Sequence, residues 1–269
     1  MYKLGKYYFE GFTHKPGHSA NYAVLTKPVH KKWGIKYSPI YCYSHEHDIL
    51  NSFSHPQIPS SYDYGREELF ENGKSVLNEH YIVLEHYEGE DVVEHYKKKR
   101  LPKIREIKKI IRYFSSAAEP LRYLHSNGFV HTDIKPGHII INPETETAGL
   151  IDLKLTIEIG EVIKGISWDY ASPEQKKMTK LLRNLPKGKG EREVLSQVNI
   201  DGRADLYSIG LILYEILTGR LWAYTRKSPI EINKLVPQKL DGIVMGLLEH
   251  DPSNRIPSAE KFKEELERV

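Results

Sequence analysis

The chain has 269 residues, 39% of them hydrophobic and 28% charged, which describes a folded globular protein and excludes a disordered one. The net charge of +3 is too small to imply a nucleic-acid partner by itself. A single cysteine, Cys42, excludes an internal disulfide framework and favours a reducing compartment. No apolar stretch approaches the ~18 residues a membrane span needs, and MYKLGKYYFEG lacks the apolar core of a signal peptide. A cytoplasmic protein with no membrane or nucleic-acid partner is the expectation.

In chain order, residues 6–41 alternate polar and apolar with many aromatics, and Gly17, Pro28 and Gly34 punctuate them. That pattern predicts three antiparallel strands. SHEHDILNSFS, residues 44–54, predicts a helix with Ser44 as its N-cap. Residues 57–84 predict two more strands, ending in Tyr81-Ile82-Val83-Leu84. Ile104, Ile107, Ile111, Phe114, Leu121 and Leu124 repeat at helical spacing, with Pro120 expected to bend the helix near its end. Next come two short β-branched runs, Ile139–Ile141 and Leu150–Ile151, with Asn142-Pro143 and Gly149 marking a turn between them. A hairpin there brings two carboxylates, Asp133 and Asp152, together at the ends of its strands. Lys135 stands two residues after Asp133, placed to offset charge on a transferring phosphoryl group. Residues 176–199 are basic and glycine-bearing, as exposed loops are, and residues 258–268 predict a closing amphipathic helix.

The run H-x-D-x-K-P, then strand, turn, strand and Asp, resembles the catalytic and metal-binding loops of eukaryotic-type protein kinases. Further matches lie in register along the chain. Trp33-Gly34-Ile35-Lys36 falls where that family keeps V-A-I-K, so the resemblance makes Lys36 the phosphate-holding lysine and Glu46 its helix partner. EHYEGED resembles the hinge between lobes: Leu84 is the implied gatekeeper, and the backbone of Glu85 and Tyr87 is implied to face the adenine edge. Asp91 is implied at the ribose, and Ile140 joins the nucleotide-binding set. Ser167 falls where kinases keep a threonine bonded to the catalytic Asp and Lys. Ser172-Pro173-Glu174 resembles A-P-E, Asp205 opens a match to the buried helix F, and Asp251-Pro252-Ser253-Asn254-Arg255 matches D-P-x-x-R. Arg255 is then implied to pair with Glu174, and Asp205 to anchor the catalytic-loop backbone.

Several positions depart from the family. The phosphate-covering glycines become His14, Pro16 and Ser19, with Gly17 out of register, and Asn21 replaces an apolar residue over the adenine. Thr132 replaces the arginine that reads a phosphorylated activation segment, so such control is not expected. His138 replaces a metal-binding asparagine, and Leu153-Lys154 replaces Phe-Gly. Asp152 remains the implied metal ligand. An imidazole at His138 either shifts preference from Mg²⁺ towards Mn²⁺ or only bonds the catalytic-loop backbone.

The resemblance implies a two-lobed α+β fold in one kinase-like domain: a five-stranded antiparallel small lobe with one helix (1–84), a hinge (85–91) and a mainly helical large lobe (92–269). It implies ATP-dependent phosphoryl transfer to serine or threonine of a protein substrate, with Mg²⁺ or Mn²⁺. The implied catalytic residues are Asp133, Lys135, Lys36 and Glu46. The departures leave open a pseudokinase, acting as a nucleotide-binding or interaction module, and a kinase for small molecules.

Overall fold

A computed structural model describes residues 1–10, 21–27, 33–97 and 101–269. The chain divides into two compact units, Met1–Tyr87 and Glu88–Val269. Gly17 and the other phosphate-loop positions, His14, Pro16 and Ser19, lie outside the described residues, as does the side chain of Asn21.

The first unit is an antiparallel sheet closed on itself. Its strands are β1 (Tyr2–Leu4), β2 (Tyr7–Phe9), β3 (Asn21–Lys27), β4 (Trp33–Ser38), β5 (Ser61–Glu71) and β6 (Lys74–Glu85), in the order β1-β2-β3-β4-β6-β5. The alternation of the sequence is the alternation of its faces: Tyr7, Phe9, Ile35, Tyr37, Tyr81 and Val83 point into one core. Six strands stand where five were expected. The extra one, β1, is three residues long and pairs with both β2 and β5, which removes the sheet's open edges. Helix α1 (Ser44–Asn51) packs beside this sheet. Ser44 is its first helical residue, not its cap; the N-cap position belongs to Tyr43, which offers no side-chain bond.

The second unit is mainly helical. It opens with β7 (Glu90–Asp91) and α2 (Val92–Lys97), followed by the long α3 (Ile104–Ser126), which runs unbroken through Pro120. Strand β8 (Phe129–Val130) leads into a 3₁₀ turn at Pro136–His138, then β9 (Ile139–Asn142) and β10 (Thr147–Leu150). Ile139 faces Leu150 and Ile140 faces Gly149, so Gly149 lies within a strand and not in the turn. The turn is made by Asn142, whose Oδ1 accepts from the amides of Glu144 and Thr145, and by Glu146 at φ 53°. Gly89 has φ 147°, and a Cβ there would meet the Ile141 carbonyl oxygen at 2.2 Å. Only glycine lets the chain pass so close to β9.

Strand β11 (Ile157–Glu158) pairs back onto β8. Helices α4 (Pro173–Arg183), α5 (Glu191–Leu195), α6 (Gly202–Thr218), α7 (Trp222–Thr225), α8 (Pro229–Ile232), α9 (Gln238–Leu247) and α10 (Ala259–Glu267) complete the unit. Helix α6 is buried nearly all round, which is why its sequence, Leu206 to Leu217, is apolar without a polar face. Residues 176–199 keep an exposed loop at 184–190, as expected, but are not loop throughout. Much of the stretch is helical, and Met178 and Val194 are buried in a core with Val130, Ile157, Ile163, Ile200 and Ala204. Among the described residues no helix is long and apolar enough to cross a membrane.

Candidate active site

In the first unit the two expected partners meet. Lys36 Nζ, carried by β4, lies 2.6 and 2.5 Å from Glu46 Oε1 and Oε2 in the first turn of α1. Both side chains are buried, so each charge depends on the other: one left alone there costs several kcal/mol, roughly 3–5. The Glu85 amide donates to the Ser60 carbonyl at 2.9 Å, so that donor is already engaged. Tyr87 is half-buried at the end of this unit.

In the second unit the loop between β8 and the 3₁₀ turn is held from below by one carboxylate. Asp205, in the first turn of α6, accepts from the amides of His131 (2.9 Å) and Thr132 (2.8 Å) and lies 2.9 Å from the His125 ring. Gly202 leaves room for that ring, since a Cβ would meet it at 2.4 Å. Thr132 has φ 64°, a strained region for a β-branched residue. Further ties fix it: its hydroxyl donates to the Leu155 carbonyl (2.7 Å), and Gln175 Nε2 donates to its carbonyl (2.6 Å). His131 accepts the Asp133 amide on Nδ1 (3.3 Å) and reaches the Ile151 carbonyl with Nε2 (3.2 Å), which makes it a neutral ring. Burial lowers its pKa in keeping with that state.

Asp133 is thereby presented on a rigid backbone. Its Oδ1 accepts the Ser167 hydroxyl at 2.7 Å, and Lys135 Nζ lies 3.5 Å from Oδ2. Burial pushes this carboxyl up, but His138, Lys135 and the Ser167 hydroxyl outweigh burial and hold it below the usual carboxylate value.

His138 spans the two acids. Its Nδ1 donates to the Asp133 carbonyl oxygen at 2.7 Å, since a carbonyl can only accept, and its Nε2 lies 3.1 Å from Asp152 Oδ2. Asp152 itself is at φ 67°, and Lys154 Nζ lies 3.7 Å from the same Oδ2. With Nδ1 tied to a backbone carbonyl, Nε2 can act beside the carboxylate oxygen as a donor to a divalent ion only in the form of the ring that carries no proton on Nε2. Two protein ligands completed by phosphate oxygens suit such an ion. Asp152 and His138 could therefore hold an ion only with phosphate oxygens as further ligands; among the described residues no group of three or more His, Cys, Asp or Glu side chains could hold a metal by itself.

The remaining candidates take other places. Asp91 is buried, and its Oδ1 caps α2 by accepting from Val93 N (2.7 Å) and Glu94 N (3.0 Å). Ile140 is buried in β9 opposite Asp91. Arg255 pairs with Glu174 at 2.8 and 3.2 Å, both side chains buried. Two contributors escaped sequence reasoning, the Thr132 hydroxyl and the Gln175 amide. Ser172 and Gln175 carry a legible capping box, but the long reach of Gln175 to Thr132 leaves no local signal.

Comparison with known proteins bears on the family and the fold. The protein kinase domain model matches residues 18–267. A probable serine/threonine-protein kinase of Clostridium acetobutylicum is 29% identical over 71% of this chain and 29% of its own length. The serine/threonine-protein kinase PknB of Mycobacterium tuberculosis is 26% identical over 81% of this chain and 34% of its own. This chain thus spans about a third of the length of these curated relatives. A double mutant of the Mycobacterium tuberculosis PknI kinase domain superposes with a TM-score of 0.70 at 17% identity, covering 98% of this chain and 96% of that one, which speaks for the fold. With a family model matched along nearly its whole length, the chain belongs to the protein kinase family.

Proposed function

We propose that this chain transfers the terminal phosphoryl group of ATP to a serine or threonine hydroxyl of a protein substrate. The observation that carries the reading is the Asp133 environment: a buried, ionised carboxylate with one oxygen held by Ser167 and the other beside Lys135. Phosphoryl transfer asks for positioning and charge stabilisation more than covalent chemistry, and each residue has such a part. A carboxyl held below its usual value is a poor base towards an alcohol. Asp133 therefore orients the substrate hydroxyl and takes its proton late, once bonding to phosphorus has made that proton acidic. Ser167 keeps the carboxylate aimed, and Lys135 balances charge on the transferring group. Lys36, held by Glu46, steadies the α and β phosphates; the carbonyl of Glu85 and the backbone of Tyr87 serve the adenine edge. Gly17, Asp91 and Ile140 are assigned to the nucleotide by resemblance alone.

Asp152 and His138 are the residues that would hold a divalent ion, Mg²⁺ or Mn²⁺. Such an ion neutralises phosphate charge when bound. The second reading, a pseudokinase that binds nucleotide without turnover, is favoured by the Lys154 ammonium at 3.7 Å from Asp152 Oδ2, where it competes with a metal.

Transfer of radiolabel from γ-labelled ATP to a serine- and threonine-containing protein mixture, with Mg²⁺ and Mn²⁺ in parallel, separates the two. Asp133→Asn is expected to lower the rate by roughly 10²–10⁴. Nucleotide binding with no transfer in either metal, and no difference between native protein and Asp133→Asn, favours the pseudokinase.

A further inference from the structure

Residues 176–199 have no part in the chemistry above, yet they are folded onto the stretch that carries Asp152 and Ser167. That stretch, residues 152–174, lays Val162, Ile163 and Ile166 against the core formed with Met178 and Val194. The Ile163 amide donates to Met178 Sδ at 3.4 Å, so the contact has a fixed register and is not loose apolar association. Ahead of it, Ile157 pairs with Val130 and the Ile159 amide donates to the Gly128 carbonyl at 2.8 Å. Behind it, Ser167 reaches Asp133, and Gln175 reaches Thr132.

The same stretch is unsuited to control by phosphate. Its hydroxyls are those of Thr156, Ser167, Tyr170 and Ser172. Thr156 and Ser172 are fully buried, Ser167 is bonded to Asp133, and the Tyr170 hydroxyl donates to Glu215 at 2.7 Å. At the position where an arginine would read such a phosphate stands Thr132, whose own hydroxyl holds Leu155. Both halves of a phosphate switch are therefore replaced, the acceptor by hydroxyls that are buried or already bonded and the reader by a neutral side chain.

We propose that residues 176–199 are a built-in clamp, and that Met178 and Val194 are positioning residues. They hold residues 156–166 in place by apolar packing, doing what a phosphate–arginine pair does elsewhere. This rests on the phosphotransfer reading. Apolar burial is always present, so the clamp is permanent and ignores phosphatase. Methionine suits the central place because its unbranched side chain fills an irregular gap between segment and helix.

The test compares native protein, Met178→Asp, Met178→Leu and Val194→Ala. Its readouts are transfer rate, ATP affinity and backbone hydrogen exchange at residues 156–166. Met178→Asp is expected to lower kcat/KM for the protein substrate about tenfold or more and to speed exchange at 156–166, with ATP affinity within about threefold. Met178→Leu restores both, and Val194→Ala moves both in the same direction by a smaller factor. Native protein treated with phosphatase keeps its rate within about twofold. If Met178→Asp does not fold, Val194→Ala decides. The clamp is overturned if exchange at 156–166 is unchanged in the variants, if it speeds up with no change in rate, or if phosphatase removes most of the activity. Failure of the phosphotransfer reading looks different: native protein and Asp133→Asn then show the same absence of transfer, while exchange at 156–166 still reports whether the clamp holds.

Discussion

Asp133 and Asp152 close the two ends of one short stretch of chain, and they are kept in different ways. Around Asp133 most ties are of the kind its family resemblance implies, the His138 ring on its carbonyl being the exception. Asp205 holds the backbone, Ser167 holds one carboxylate oxygen and Lys135 faces the other. Around Asp152 the neighbours are new: an imidazole at 3.1 Å and an ammonium at 3.7 Å share its Oδ2. On the proposed reading, the half that orients the hydroxyl keeps most of its implied ties, while the half that would hold the metal has new neighbours. The two halves differ in what they must satisfy. An acceptor for a hydroxyl proton has few substitutes, whereas a divalent ion accepts nitrogen or oxygen donors and adjusts its remaining ligands.

The strongest way to break this comparison is to take the preserved half apart from below. Asp205→Ala leaves two buried amides and the His125 ring without their acceptor. At about 1–3 kcal/mol for each of the three orphaned groups, the expected loss of stability is roughly 3–9 kcal/mol. Activity falls with it, because Thr132 no longer holds its strained φ. Chemical denaturation of native protein and variant measures the first, and the transfer assay the second. An Asp205→Ala protein of near-native stability would contradict the account of this loop.

A smaller effect sharpens the rebuilt half. Lys154→Met removes a positive charge beside the proposed metal ligand and leaves the aliphatic length in place. Mn²⁺ affinity in the presence of ATP is expected to rise roughly tenfold, about 1.4 kcal/mol, read by titration of the free ion. Unchanged affinity means that Lys154 does not compete at Asp152.

The smallest expected effect lies outside both halves and serves as a reference. Asp201 caps α6 and binds Arg203 through its carboxylate. Burial pushes its carboxyl up, but the hydrogen bonds and charge of Arg203 outweigh burial and leave it below the usual value. A depressed folded value means that its contribution is complete above the ordinary carboxylate pKa of ~3.9 and is lost as pH falls through the folded value. Asp201→Ala should therefore cost about 1 kcal/mol near neutral pH, with the gap to native protein closing well below pH ~4 in thermal melts.

The parts legible in the sequence were those that family motifs place in register, even where the partners lie far apart along the chain. The Lys36–Glu46, Glu174–Arg255 and Ser167–Asp133 contacts all lie where register against the family placed them. What escaped follows no family motif. Strand β1 is too short to show a period, and it exists because both β2 and β5 receive it. Gly149 reads as a turn residue, yet it pairs with Ile140 while Asn142 and Glu146 make the turn. The stretch 176–199 reads as loop because its lysines and glycines dominate its composition. Its apolar residues are sparse, and they find their core against Val130, residues 157–166, Ile200 and α6. The alternatives left open at His138 are not exclusive in the structure: Nδ1 bonds the catalytic-loop backbone and leaves Nε2 facing Asp152.

The claim that the nucleophile side is intact and the metal side rebuilt around an imidazole is tested most directly by one ratio. The transfer rate with Mn²⁺ is divided by the rate with Mg²⁺, for native protein and for His138→Asn, with Asp133→Asn as the inactive control. The account predicts a ratio above one in native protein and a shift towards Mg²⁺ in His138→Asn, with Asp133→Asn slow in both metals. The same ratio in native protein and His138→Asn would contradict it.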